Sequence, residues 1–228
     1  MYIYIYVFVS FPCIYVHFFV IYLALPAVNP KYECKKHGQC YHSVFGSYRV
    51  DPDAVSMEIL TNSIEASRSS ARKFLTMFWD RNCLPFAKNW EEGFVNCLRN
   101  SGVILLLVSP EAVERCQSAD RIADNFLLEM DIATELHAAQ KATVIPIFMI
   151  DKNYSGDHDT FLHFLKTGFP DKTPIHPWAQ KTISSTMYAV AQLPGAHRIR
   201  RGDDFTSLAE AIANLCLPSK YLPIFILI

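Results

Sequence analysis

Residues 103–109 read "VILLLVS", an apolar run with no polar interruption, closed by a serine. A strand with one wet face alternates polar and apolar residues, whereas an unbroken run suits a strand covered on both faces. Such strands belong to parallel sheets flanked by helices, and the sequence on either side fits that arrangement. Upstream, "WEEGFVNCLRN" (90–100) has a helical pattern with Asn89 as its cap and Ser101-Gly102 as its stop. Its two glutamates fall in the first turn, where the helix dipole favours acids. Before it come a second strand, "FLTMFW" (74–79), and an irregular loop, "DRNCLPFAKN" (80–89). Earlier still, "SVFGSY" (43–48) reads as the first strand. Asp51 then serves as N-cap with Pro52 at the first helical position, and "DAVSMEILTNSIEAS" continues as a helix.

Downstream, a loop to about residue 123 leads into "DNFLLEMDIATELH" (124–137), a helix. "TVIPIFM" (143–149) is the fourth strand, and Pro146, which has no N–H to donate, leaves one of its sides locally unpaired. A short helix "DTFLHFLKTG", a fifth strand "AHRIR" (196–200) and a final helix "DDFTSLAEAIANLC" complete the series. The order implies an α/β, flavodoxin-like, doubly wound parallel five-stranded sheet over residues 41–217.

The flanks differ in character. Residues 1–26 are almost wholly apolar or aromatic, 27–40 read as a linker, and 218–228 form an apolar tail. The first segment is long enough to span a bilayer, which takes about 20 residues. Lys31, Lys35 and Lys36 behind it would keep the folded part in the cytoplasm. Two other readings stay open. A signal peptide would need a basic start and a small-residue cleavage site, which are missing. A misplaced start codon upstream of a TA repeat would also encode "YIYIY".

Net charge of −1 and a pI near 6.7 exclude an electrostatic footprint for nucleic acid. The seven cysteines (13, 34, 40, 83, 97, 116 and 216) are odd in number and irregular in spacing, as suits reduced thiols rather than a disulfide frame. "CKKHGQCYH" offers Cys34, His37, Cys40 and His42, but the spacing matches no common zinc finger and no second ligand pair follows. The expectation is therefore no metal. Asn153 opens a glycosylation sequon that matters only in a secreted domain, and "RGD" (201–203) is short enough to arise by chance. Nucleotide-binding, hydrolase-elbow and zinc-protease motifs are absent.

One residue is out of place. At about 100° per residue, Phe126, Leu128, Met130, Ile132, Ala133 and Leu136 form an apolar arc, and Glu129 falls inside it. Asp131, Thr134 and Glu135 fall on the opposite, solvated face. Carboxylates are rarely buried unless paired. Ligands of open parallel sheets bind beyond the carboxyl ends of the strands, and those ends carry Tyr48, Arg49, Asp80 and Ser109. Glu129, one turn into its helix, approaches the same rim, as does Trp90 at the start of a neighbouring helix. Such a set suits a ligand with ribose hydroxyls, an aromatic ring and phosphates. Plainer roles also exist: packing for Tyr48 and Trp90, a pair between Arg49 and Asp80, a loop cap for Asp80.

"SVFGSYRVDPDA", "MFWDRNCLPFAKNWEEGFVNCLRNSGVILLLVSPEAV" and "DNFLLEMDIATEL" followed by "TVIPIFM" resemble the Toll/interleukin receptor (TIR) domain family, over about residues 41–150. The resemblance implies the same five-stranded fold and a partner in other TIR domains, by homo- or hetero-oligomerisation. It implies one of two activities. Some TIR domains are catalytically silent adaptors in innate-immune or cell-death signalling. Others, once assembled, hydrolyse NAD+ to nicotinamide and ADP-ribose or its cyclic form, with NAD+ as substrate and no cofactor. By this resemblance Glu129 is the catalytic glutamate, and Tyr48, Arg49, Asp80 and Trp90 line the NAD+ pocket. The position four before the glutamate, often tryptophan, is Asn125 here, with Phe126 beside it as a substitute for stacking on nicotinamide. Ala87 stands where relatives often have glycine. The alternative for Glu129 is a structural pair with Arg49.

Overall fold

The computed structural model describes residues 34, 36–37, 42–67, 75–84, 90–150, 157–200 and 203–216, without the side chains of residues 90–92. The readings of the 1–26 segment, the 218–228 tail, Cys13, Cys40, Ala87, Asn89 and Asn153 lie outside the described residues, as does most of the 27–40 linker. Among the described residues, no helix is long and apolar enough to cross a membrane.

Five parallel strands form one sheet in the order β2-β1-β3-β4-β5. They are β1 (Val44–Ser47), β2 (Met77–Phe78), β3 (Val103–Val108), β4 (Thr143–Ile150) and β5 (His197–Arg200). This is the flavodoxin-like order, with its switch point between β1 and β3. Side chains alternate between two layers. Phe45, Ile104, Leu106, Val108, Val144 and Phe148 face one core, and Val44, Val103, Leu105, Leu107, Ile145 and Ile147 face the other. The unbroken run in β3 is buried along its whole length because it feeds both cores. β5 pairs with β4 from Ile147 onward, so Pro146 faces only its β3 register partner Leu106.

The first core is covered by α3 (Trp90–Asn100), α5 (Asn125–Ala138), α6 (His158–Thr167) and α7 (Ile183–Ala191); the second by α1 (Val50–Ala66) and α8 (Thr206–Leu215). In α1, Asp51 has an extended backbone (φ −116°, ψ 108°), so the regular helix starts at Pro52. Gly46 lets α1 approach: a Cβ there would sit 2.4 Å from Met77 Cε and 2.8 Å from Met57 Sδ.

Several segments are more ordered than their composition implies. The stretch after β2 opens with a short helix, α2 (Asp80–Cys83), and the one after β3 holds α4 (Pro110–Glu114) followed by a 3-10 turn, Arg115–Ser118. Ser109 caps α4 by accepting from the Ala112 N–H at 3.2 Å. α7 is absent from the sequence-based series. The second strand is also shorter than the apolar run suggests, spanning only Met77–Phe78.

Candidate active site at the carboxyl edge of the sheet

Helix α5 sets the geometry. Asp124 caps it, its Oδ1 accepting from the Leu127 N–H at 2.9 Å, and this cap fixes the first turn beside the β1/β3 switch point. Glu129, one turn further, is 7% exposed. Burial pushes its carboxyl well above the ordinary glutamate pKa, and the charges of Asp80 and Asp124 add to the rise. The Ser47 hydroxyl at the end of β1 works the other way, as does the Arg49 charge. Ser47 makes no hydrogen bond of good geometry, so it acts on Glu129 by proximity rather than by a formed bond. No salt bridge reaches Glu129 among the described residues.

Arg49 is committed elsewhere. Its guanidinium donates to Asp124 Oδ2 at 2.6 Å and to the Ala112 carbonyl at 2.7 Å, and touches Cys116 Sγ at 3.4 Å. Burial opposes its charge, but Asp124 and Cys116 together outweigh that and lift its pKa. The structure thus corrects both pairings considered for Arg49, with Asp80 and with Glu129. The guanidinium also lies 5.4 Å from the centroid of Phe126. Phe126 is 3% exposed and part of the core. It does not offer the stacking face expected of it, because an incoming ring would have to displace it from that packing.

Tyr48 and Asp80 form a second closed set. The Tyr48 ring packs in the α1 core, its hydroxyl donates to Asp80 Oδ1 at 2.6 Å, and it accepts from Trp79 Nε1 at 2.8 Å. Burial, then the Asp80 hydrogen bond, raises the phenol pKa. Asp80, the first residue of α2, also accepts from the Arg81 N–H at 2.8 Å. Asn125 opens α5, half-buried. Trp90 opens α3, and its side chain is outside the described residues.

Asp53 is a rim acid that the sequence reading passed over. It is fully buried on α1 and accepts from the Ser109 hydroxyl at 2.8 Å. The signal was present as a second acid in the first turn of α1, but Asp51 drew the capping role. Another correction concerns the face of α5 opposite the rim. Asp131 and Thr134 are buried there, 2% and 6% exposed, rather than solvated. Lys181 Nζ donates to Asp131 Oδ1 at 2.9 Å and to Thr134 Oγ1 at 3.1 Å. The Gln180 N–H adds a bond to Asp131 Oδ2 at 2.8 Å.

Fold and site together define a doubly wound, flavodoxin-like α/β domain with an acidic rim at its switch point. No protein-family model matches the chain, and no curated protein matches it. Solved structures similar to it include a metazoan TIR-STING receptor from C. gigas in complex with 2',3'-cGAMP. That likeness has 15% identity and a TM-score of 0.44, over 77% of this chain and 40% of that one. The chain thus spans well under half the length of that receptor. Another is the set of TIR domains in the activated Roq1 resistosome directly recognizing the pathogen effector XopQ. It gives 18% identity and a TM-score of 0.46, over 75% of this chain and 95% of that one.

Proposed function

We propose that this chain is a TIR-type signalling domain that self-associates and hydrolyses NAD+ with Glu129 as its catalytic carboxylate. The observation that carries the reading is a buried carboxyl at the β1/β3 switch point with no salt-bridge partner among the described residues, Arg49 being held by Asp124. A buried acid without a cation is costly, and such cost is typical of sites kept for chemistry.

Cleavage breaks the bond between ribose C1′ and the nicotinamide nitrogen. The electron pair leaves with the ring, which becomes neutral nicotinamide, and positive charge develops on the ribose. The ionised Glu129 stabilises that oxocarbenium-like state, as carboxylates do in glycoside hydrolysis. Water then adds its oxygen to C1′ and releases a proton, giving ADP-ribose. The cationic nicotinamide ring, once bound, favours the ionised form that burial disfavours. In this reading Asp80 and Asn125 meet the ribose hydroxyls.

The second reading, a catalytically silent adaptor, is favoured by a different observation. Tyr48 with Asp80, and Arg49 with Asp124, already satisfy one another, so the rim is closed in the single chain. The two readings separate in a nicotinamide-release assay on the full chain clustered on vesicles. The enzyme reading expects release by wild type and a loss of about 10²–10³ in Glu129→Gln, the usual effect of removing one preorganised electrostatic group. No release by the clustered wild type favours the adaptor, and equal release by the Gln variant removes Glu129 from the mechanism.

A further inference from the structure

Cys34, His37, His42 and Cys83 converge beside the edge strand β2, and their ligand atoms all lie within 4.8 Å of one another. His37 is at the centre. Its Nδ1 is 3.2 Å from Cys34 Sγ, 3.2 Å from His42 Nε2 and 3.8 Å from Cys83 Sγ. A tetrahedral zinc ion, with Zn–S near 2.3 Å and Zn–N about 2.0–2.1 Å, has ligand–ligand edges of about 3.3–3.8 Å. The three separations from His37 fall within a few tenths of an ångström of those edges before any ion draws the ligands in.

We propose that these four side chains form a Cys2His2 zinc site that clamps the segment before β1 onto α2. The surroundings match what zinc ligands need. His37 Nε2 lies 3.0 Å from Glu65 Oε1, so the carboxylate fixes the tautomer and leaves the Nδ1 lone pair for the metal. Backbone N–H groups point at both sulfurs, His37 N to Cys34 Sγ and Trp79 N to Cys83 Sγ, each at 3.4 Å. The His42 ring is held edge-on by Phe78, 5.3 Å between centroids. Two thiolates and two neutral imidazoles make a neutral, closed complex, which suits a structural rather than a catalytic ion. The thiols bind as thiolates and give up their protons to solvent.

The sequence holds no second ligand pair, and the site needs only a single further cysteine. The fourth ligand instead comes from 41 residues further on than His42, because α2 turns back at the end of a two-residue strand. Asp80 and Cys83 are the two ends of α2, so the ion would also hold the rim acid that pairs with Tyr48.

The test is metal analysis of the full chain purified under reducing conditions, with cobalt(II) exchanged in as a probe. Zinc near one equivalent, and a cobalt spectrum with tetrahedral d–d bands and thiolate charge transfer, are expected. Both should be lost in Cys83→Ser and retained in Cys216→Ser, whose thiol lies outside the cluster. A wild-type chain that holds no zinc and gives no thiolate–cobalt bands overturns the proposal, and this arm decides even if Cys83→Ser fails to fold. Full metal retention in Cys83→Ser also overturns it, since the ligands would then lie within residues 34–42 alone.

Discussion

Glu129 and Asp131 stand two residues apart on α5, and both are almost fully buried, yet their surroundings are opposite. Asp131 receives the Lys181 ammonium and the backbone N–H groups of Gln180 and Lys181, so each oxygen has a charged or strong donor. No cation among the described residues bonds to Glu129, and burial holds its carboxyl well above the ordinary range. One helix therefore carries an acid that the fold has satisfied and an acid that the fold has left expensive. The first sits where α7 docks onto α5; the second sits where strands end and ligands bind. Position on the sheet, not degree of burial, separates a structural acid from a candidate catalytic one.

The comparison breaks first at Lys181. Lys181→Met should cost about 3 kcal/mol, the lower end of the range for removing one partner of a buried pair, because Lys181 is itself partly exposed. Chemical denaturation would show it, and a loss near zero would mean that the backbone donors alone satisfy Asp131.

The smaller effect is at Glu129 and has the opposite sign. Its folded pKa lies above the unfolded value, so the fold is unpenalised below the unfolded pKa, loses stability as pH rises from there to the folded pKa, and carries the full penalty above it. Glu129→Gln cannot ionise. The variant should match wild type near pH 4 and exceed it by about 1 kcal/mol near pH 8, the scale of relieving a buried polar group. Thermal melts across that range check the trend. A variant less stable than wild type at pH 8 would mean that the carboxylate has a stabilising partner.

Much of this contrast was legible in the sequence, but unevenly. The run in β3 and the arc on α5 placed the sheet and put Glu129 inward, because periodicity records which faces meet the nearest layer. The fate of Asp131 was not legible. Its cover is contributed by Gln180 and Lys181, some 50 residues later, from a stretch with little apolar periodicity ahead of α7. Cys83 was hidden for a related reason. A four-residue helix carries too little pattern to announce itself, and its thiol meets His37 only after the chain folds. The partners of the residues at the strand ends were not legible: Arg49 reaches Asp124, a helix cap 75 positions further along the chain. Neighbouring residues at the start of α5 also differ in burial, Asn125 half-buried and Phe126 turned into the core.

The most direct test of the contrast is a carbon-detected NMR titration of the Glu129 side-chain carboxyl in the folded wild-type chain, assigned by comparison with Glu129→Gln. The account predicts a midpoint clearly above the ordinary glutamate value of about 4.3. A midpoint at or below that value would show a charge partner for Glu129 and contradict the claim that burial, with no cation to offset it, governs this acid.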